Sequence, residues 1–232
     1  MKGGHMKRFG VVGAAVAIAM LALSGCSDSD EGVSESKANV RVVHASYDAP
    51  AVNVLIDGNK AISDLAYGKA SGYASIDAGK RQVQVEPAAG GSAVIDANLD
   101  FAAGTDWTVY AGNMLSSIEA IASQDDRTPN ASKAKIRFIH ASPDAPAVDI
   151  KLDTGDGSAV FSNVAFKGIT EYAEVDAGTY SFVVTAAGDT NAVVSFEGQA
   201  LEAGQIYTVI AIGTLDASDA YTEEVVLWSG VL

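Results

Sequence analysis

The residues able to do chemistry in this chain are few, and most of them fall inside one repeated phrase. Histidine occurs three times; His5 lies near the start, while His44 and His140 each open the phrase His-Ala-Ser-x-Asp-Ala-Pro. An imidazole with a carboxylate four residues on, Asp48 or Asp144, is the beginning of a metal site. It is no more than a beginning, because a catalytic zinc takes three protein ligands and each copy offers one His and one Asp. No metal and no cofactor is expected. Asp153-Thr-Gly-Asp156-Gly has carboxylates near one another, but its spacing misses the calcium-loop pattern and reads as a hairpin turn. The chain has no G-x-S-x-G, no H-E-x-x-H and no phosphate-cradling glycine loop, so the expectation is a protein that is not an enzyme.

The phrase must be positioned by whatever precedes it. Residues 40–44 read as a strand, in which alternate side chains share a face, so His44 points the same way as Val40 and Val42. His140 aligns in the same manner with Ile136 and Phe138. The chain then turns: Asp48 and Asp144 are able to bond backbone N–H groups two residues on, and Pro50 and Pro146 force an extended residue before them. A ring at the end of a core strand needs a polar partner. The leading reading is therefore structural, with Arg41, His44, Ser46, Asp48 and Pro50, and Arg137, His140, Ser142, Asp144 and Pro146, shaping a loop. The alternative is that these loops bind a small ligand, a glycan or a cation. Trp107 and Tyr207, candidates for stacking on a sugar, sit inside apolar strands and are expected in the core.

One further group stands apart. Cys26 is the only cysteine, which rules out an intrachain disulfide. Lys2, Lys7 and Arg8 precede an apolar run, Phe9 to Leu23, of a length that suits a signal peptide and is short for a membrane span. The run ends in Leu23-Ser24-Gly25-Cys26, which resembles the lipobox of bacterial lipoproteins. That resemblance implies cleavage before Cys26 and lipidation of its thiol, so residues 1–25 are expected to be removed and the membrane to be a partner through the anchor. Acyl chains contribute about 0.8 kcal/mol per buried methylene, and two or more hold firmly. Ser27 stands where an Asp signals retention in the inner membrane, which by the same resemblance favours the outer membrane. From Cys26 onward there are 12 Lys and Arg against 29 Asp and Glu, a formal charge of −17. Such a surface repels phosphate backbones, so nucleic acid is not an expected partner.

Residues 26–39 are mostly Ser, Asp, Glu and Gly with almost nothing to bury, and read as a disordered tether. Beyond it the chain repeats. Residues 40–52 (VRVVHASYDAPAV) and 136–148 (IRFIHASPDAPAV) are identical at nine of thirteen positions. Leu65-Ala66-Tyr67 answers Val164-Ala165-Phe166, Tyr73 answers Tyr172, and Trp107-Thr108-Val109 answers Tyr207-Thr208-Val209. A domain has been duplicated, with copy one at 40–122, a polar linker at 123–134 and copy two at 135–232. Within each copy the apolar period is two, as in Val52-Val54-Ile56, and turn dipeptides such as Asp57-Gly58 recur about every ten residues. Seven or eight short strands per copy predict an all-β chain of two tandem antiparallel β-sandwiches, immunoglobulin-like or transthyretin-like. Each copy carries a full strand set and so predicts an autonomous unit.

The segments beginning at Arg41 and Arg137, together with Asp125-Asp126-Arg127-Thr-Pro at the junction, resemble a bacterial cell-surface family catalogued only as domain of unknown function 4397. Copy one departs from its pattern at Tyr47, where copy two keeps Pro143. The resemblance covers roughly residues 40–230 and implies fold and location, but no chemistry. The function expected is a non-catalytic envelope module, structural or interacting, with an envelope protein or glycan as a possible partner.

Overall fold

The computed structural model describes residues 36–153 and 158–215 in full and residues 224–229 as backbone. The signal-peptide and Cys26 expectations, and most of the Asp153–Gly157 turn, fall outside these residues. The described residues form one compact unit. Its first half contains β1 (Lys37–His44), β2 (Val52–Ile56), β3 (Asn59–Leu65), β4 (Ala74–Asp77), β5 (Gly79–Pro87), β6 (Ile95–Phe101), β7 (Asp106–Gly112) and β8 (Glu119–Asp125). Its second half contains β9 (Lys133–His140), β10 (Val148–Leu152), β11 (Ala159–Val164), β12 (Ala173–Asp176), β13 (Gly178–Ala186), β14 (Ala192–Leu201), β15 (Ile206–Ile212) and β16 (Glu224–Ser229).

The duplication is complete at the level of topology. Copy one has sheets ordered β4-β1-β7-β8 and β3-β2-β5-β6; copy two has β12-β9-β15-β16 and β11-β10-β13-β14. The chain is all-β and each copy is a two-sheet sandwich. Each departs from the antiparallel expectation at one place: β1 runs parallel to β7, and β9 to β15. Parallel neighbours need a long crossover; here the intervening strands of the other sheet supply it. The Asp57-Gly58 hairpin is as its dipeptide suggests, with φ of 49° and 76°.

Alternation builds the sandwich cores. In copy one Val40 and Val42 on β1, Val52 and Val54 on β2, Val83 and Val85 on β5, and Val109 on β7 meet between the two sheets. Ile136, Phe138, Ile150, Phe182, Val184 and Val209 do the same in copy two. A third apolar cluster lies on the opposite faces of β1, β7, β9 and β15. There Val43, Ala45 and Tyr110 of copy one are buried against Ile139, Ala141, Ile210 and Ile212 of copy two. The sheets holding β1 and β9 are therefore buried on both sides, and the four sheets stack with the two copies back to back.

Two boundaries differ from the sequence reading. The tether was expected to run to residue 39, yet β1 begins at Lys37 and Ala38 is buried, because its small side chain continues the inward series of Val40 and Val42. The outward residues are held as well: Lys37 bonds Asp77, and Asn39 donates to Asp106 Oδ1 at 2.7 Å. At the junction, β8 runs to Asp125 and β9 begins at Lys133, so residues 126–132 connect the copies.

Candidate functional site

The repeated phrase leaves β1 and β9 at the end of each core strand and closes on itself. His44 is fully buried, as strand parity requires. Its Nε2 lies 2.9 Å from Pro50 O, and a carbonyl only accepts, so Nε2 carries the proton and donates. The other nitrogen, Nδ1, then accepts from Ser46 N–H at 3.4 Å. His140 repeats this arrangement with Pro146 O at 2.9 Å and Ser142 N–H at 3.4 Å. Tyr67 and Phe166 stand edge-on to the two rings, with centroids 6.2 and 6.3 Å away. These two aromatics already answered one another in the duplication, but nothing in their spacing said that histidine was their neighbour.

Around each ring the backbone is fully engaged. His44 N–H donates to Lys69 O, and Ala45 N–H to Ala111 O at 2.8 Å; His140 N–H donates to Gly168 O, and Ala141 N–H to Ala211 O at 2.8 Å. The aspartates act differently from the sequence expectation. The residue two on from Asp48 is Pro50, and from Asp144 it is Pro146; neither has an N–H to give. Asp48 instead reaches across to the β7–β8 connection, where Leu115 N–H donates to its Oδ1 at 2.7 Å. Asp144 does the same with Leu215 N–H at 3.1 and 3.0 Å. Ser46 and Ser142 are buried, and each donates to its aspartate at 3.4 Å. The arrangement ties two loops together. It leaves neither ring nitrogen a lone pair to offer a metal or a substrate proton, and among the described residues no group of three or more His, Cys, Asp or Glu is placed to hold a metal ion.

Burial pushes both histidines below their ordinary value, outweighing the bonds to Pro50 and Pro146 that favour the proton. The folded chain thus takes up protons later than the unfolded one, whose histidines titrate near ~6.5. Stability contributed by the neutral rings is complete above that pH and is lost as pH falls toward the folded value. The urea midpoint of the wild type should drop more between pH 7 and 5 than that of a His44→Gln/His140→Gln variant. Parallel profiles would show that the rings titrate freely. At neutral pH, His140→Ala should cost about 1–3 kcal/mol, since it removes packing and two buried bonds. Asp144→Ala, whose carboxylate is exposed, should cost about 1 kcal/mol.

The arginines of the motif point to the other face and form a second constellation. Arg137 is 1 % exposed. Its Nε donates to Thr208 Oγ1 at 3.2 Å, Nη1 to Ser123 Oγ and Gln124 O, and Nη2 to Tyr110 OH at 3.1 Å and to Asp125 Oδ1. Arg41 repeats the first bond with Thr108 Oγ1 at 2.7 Å. Each guanidinium lies over the tyrosine that answered the other copy's, Arg41 at 5.0 Å from Tyr73 and Arg137 at 4.9 Å from Tyr172. Asp125 is the shared anion: its Oδ2 accepts from Tyr73 OH and Thr108 Oγ1, both at 2.6 Å, while Oδ1 takes Arg137. Burial is the main cause that raises the Tyr73 and Tyr110 phenols above their ordinary value, which keeps both as O–H groups. Sequence reasoning missed Asp125 as a functional group, because its role exists only once the copies meet. The aromatic candidates are core residues: Tyr207 is buried, and Trp107 packs on the copy-one core with Phe101 edge-on at 5.7 Å.

Comparison with known proteins bears on this geometry. The family model described as Domain of unknown function (DUF4397) matches residues 38–151 and 154–226. No curated protein matches the chain. Among solved structures, the Bacillus anthracis TIE protein aligns at 12 % identity and TM-score 0.27, over 84 % of this chain and 43 % of its own, so the chain spans less than half of that relative. A family 26 carbohydrate-binding module from Eubacterium rectale, solved with maltoheptaose, aligns at 9 % identity and TM-score 0.26, over 84 % of this chain and 98 % of its own. A putative cell adhesion protein from Bacteroides fragilis aligns at 9 % identity and TM-score 0.22, over 84 % and 97 %.

Proposed function

The chain belongs to the family described as Domain of unknown function (DUF4397), and from that membership and the closed motif we propose that it is a non-catalytic, lipid-anchored module of the bacterial cell envelope that acts by interaction or as structure. The observation that carries this reading is the state of the two histidines. Both nitrogens of each ring are spent on the ring's own loop, so the groups best suited to catalysis are fully employed in shaping the fold. A ligand, glycan or cation site built on the HAS-x-DAP loops finds no support in that geometry.

The envelope location is supported by the lipobox-like Leu23-Ser24-Gly25-Cys26 and by Ser27, which favours the outer membrane. Metabolic labelling with a fatty-acid analogue should mark the wild type, and Cys26→Ala should abolish the label. Equal labelling of both would remove the anchor from the proposal. An envelope protein or glycan is the partner class in keeping with an acidic, anchored body, and nucleic acid is not. A pull-down from envelope extracts with the lipid-free chain tests this; recovery of nothing above the level of a scrambled bait would leave a purely structural role.

A further inference from the structure

The seam between the copies opens into a cleft of about 770 Å³, walled by Asp106 and residues 123–125 of the first copy, by residues 126–128 of the connection and by residues 169–172 of the second copy. Its size falls in the range of roughly 300–1,000 Å³ typical of ligand pockets, and it lies at the junction of two packed bodies, where such pockets concentrate. Its floor is the Arg137–Asp125 pair, each side chain 1 % exposed. Every N–H of Arg137 is already placed, so the floor is rigid and offers no free charge. The cluster exists on one side only: Ile210, which answers Tyr110 in the duplication, has no hydroxyl to give it. A joint that served packing alone would be as well made from apolar residues, because a buried ion pair is weak as a source of stability.

The walls select by what they have left to bond. Their charges are largely cancelled from within, Asp106 by Arg127 at 3.2 Å and Asp126 by Lys135 at 2.7 Å. An ionic ligand therefore meets one uncompensated wall charge among the described residues, that of Glu171. An aliphatic ligand meets almost no aliphatic wall beyond Ile169. What remains are acceptors and neutral donors: the Glu171 carboxylate, Asp106 Oδ2, and the Gln124 amide, none of which has a hydrogen-bond partner among the described residues. Planar groups of this kind pair with adjacent hydroxyls, the carboxylates accepting hydrogen bonds from O–H groups and the amide N–H donating to hydroxyl oxygens. We propose that the seam cleft binds a neutral, hydroxyl-rich glycan segment, held between the two copies. This deepens the interaction-module reading and rests on it.

The test uses the mature chain without its lipid on an array of neutral oligosaccharides and their uronic-acid counterparts, beside a Gln124→Ala/Glu171→Ala variant. Both substituted side chains are exposed, so the thermal midpoint of the variant should equal that of the wild type. The expected result is binding to neutral oligosaccharides that weakens about tenfold or more in the variant, the equivalent of about 1.4 kcal/mol for the two polar groups removed. Binding confined to uronic acids, binding equal in both proteins, or no binding to any neutral oligosaccharide would each overturn the proposal. The interaction-module reading falls separately: a specific envelope protein recovered by pull-down without glycan binding would keep the module and remove the cleft.

Discussion

Asp125→Ala is expected to destabilise the mature chain by about 3–5 kcal/mol, the range found when one partner of a buried ion pair is removed. The carboxylate is 1 % exposed and accepts from Arg137, Tyr73 and Thr108. Without it the Arg137 guanidinium remains buried with its nearest anion gone, and the Tyr73 and Thr108 hydroxyls each lose an acceptor. Removing both charges is a different experiment. Asp125→Leu/Arg137→Met trades a desolvated pair for apolar contacts on a face already lined by Ile139 and Ile210, and should recover most of the loss. Urea denaturation of the three proteins measures both effects. A single variant within about 1 kcal/mol of the wild type would mean that water reaches the pair and the seam is loose.

Separating the copies should have the second large effect. A chain ending at residue 128 exposes Val43, Ala45 and Tyr110 together and leaves Asp125 without Arg137; its complement exposes Ile139, Ala141, Ile210 and Ile212 and leaves the Arg137 guanidinium without its carboxylate. A contiguous apolar face of this kind drives association. Mixed in equal amounts, the two halves should therefore form a 1:1 complex by sedimentation, more resistant to urea than either half alone. Two monomeric halves, each as stable as the intact chain, would show that the copies are as autonomous as the duplication suggests, and that the seam adds nothing. The salt bridge between Glu119 and Lys167, at 2.6 Å across the seam, is about 40 % exposed on both sides and should add little.

Much of this architecture is legible in the amino-acid sequence. The inward series Val52-Val54 and Val83-Val85, the Asp57-Gly58 turn and the matching of one copy to the other are local or nearly local signals, and they specified strands, hairpins and the duplication. The position of His44 followed from parity alone, since a residue two beyond Val42 on a strand shares its face. The role of Asp48 did not follow. Its partner is Leu115 N–H, far along the chain, and the nearby amide that a local turn would use is missing because Pro50 stands there. The seam also left a trace that period-two reading passes over. Ile206–Ile212 and Val40–His44 are each buried at every position, Arg41 and Thr208 included, the mark of strands covered on both faces.

What the sequence by itself determined is the class of each element, the order of the elements and the face that each residue presents, because backbone geometry alternates side chains wherever the chain extends. Only the tertiary structure decided what those faces meet. Arg41 and Arg137 occupy equivalent positions with equivalent threonines and tyrosines, yet it is Arg137 that reaches Tyr110 and Asp125, while Tyr110's own counterpart is Ile210. The second copy has Gly230 where the first has Asp125, so there is one acid for two arginines, and the packing of the copies sets it 3.9 Å from Arg41 Nε and in direct contact with Arg137. The same reason governs the cleft. Its walls come from residues 123–128 and 169–172, which share no spacing, repeat or motif, and become neighbours only when the third apolar cluster brings the two copies together.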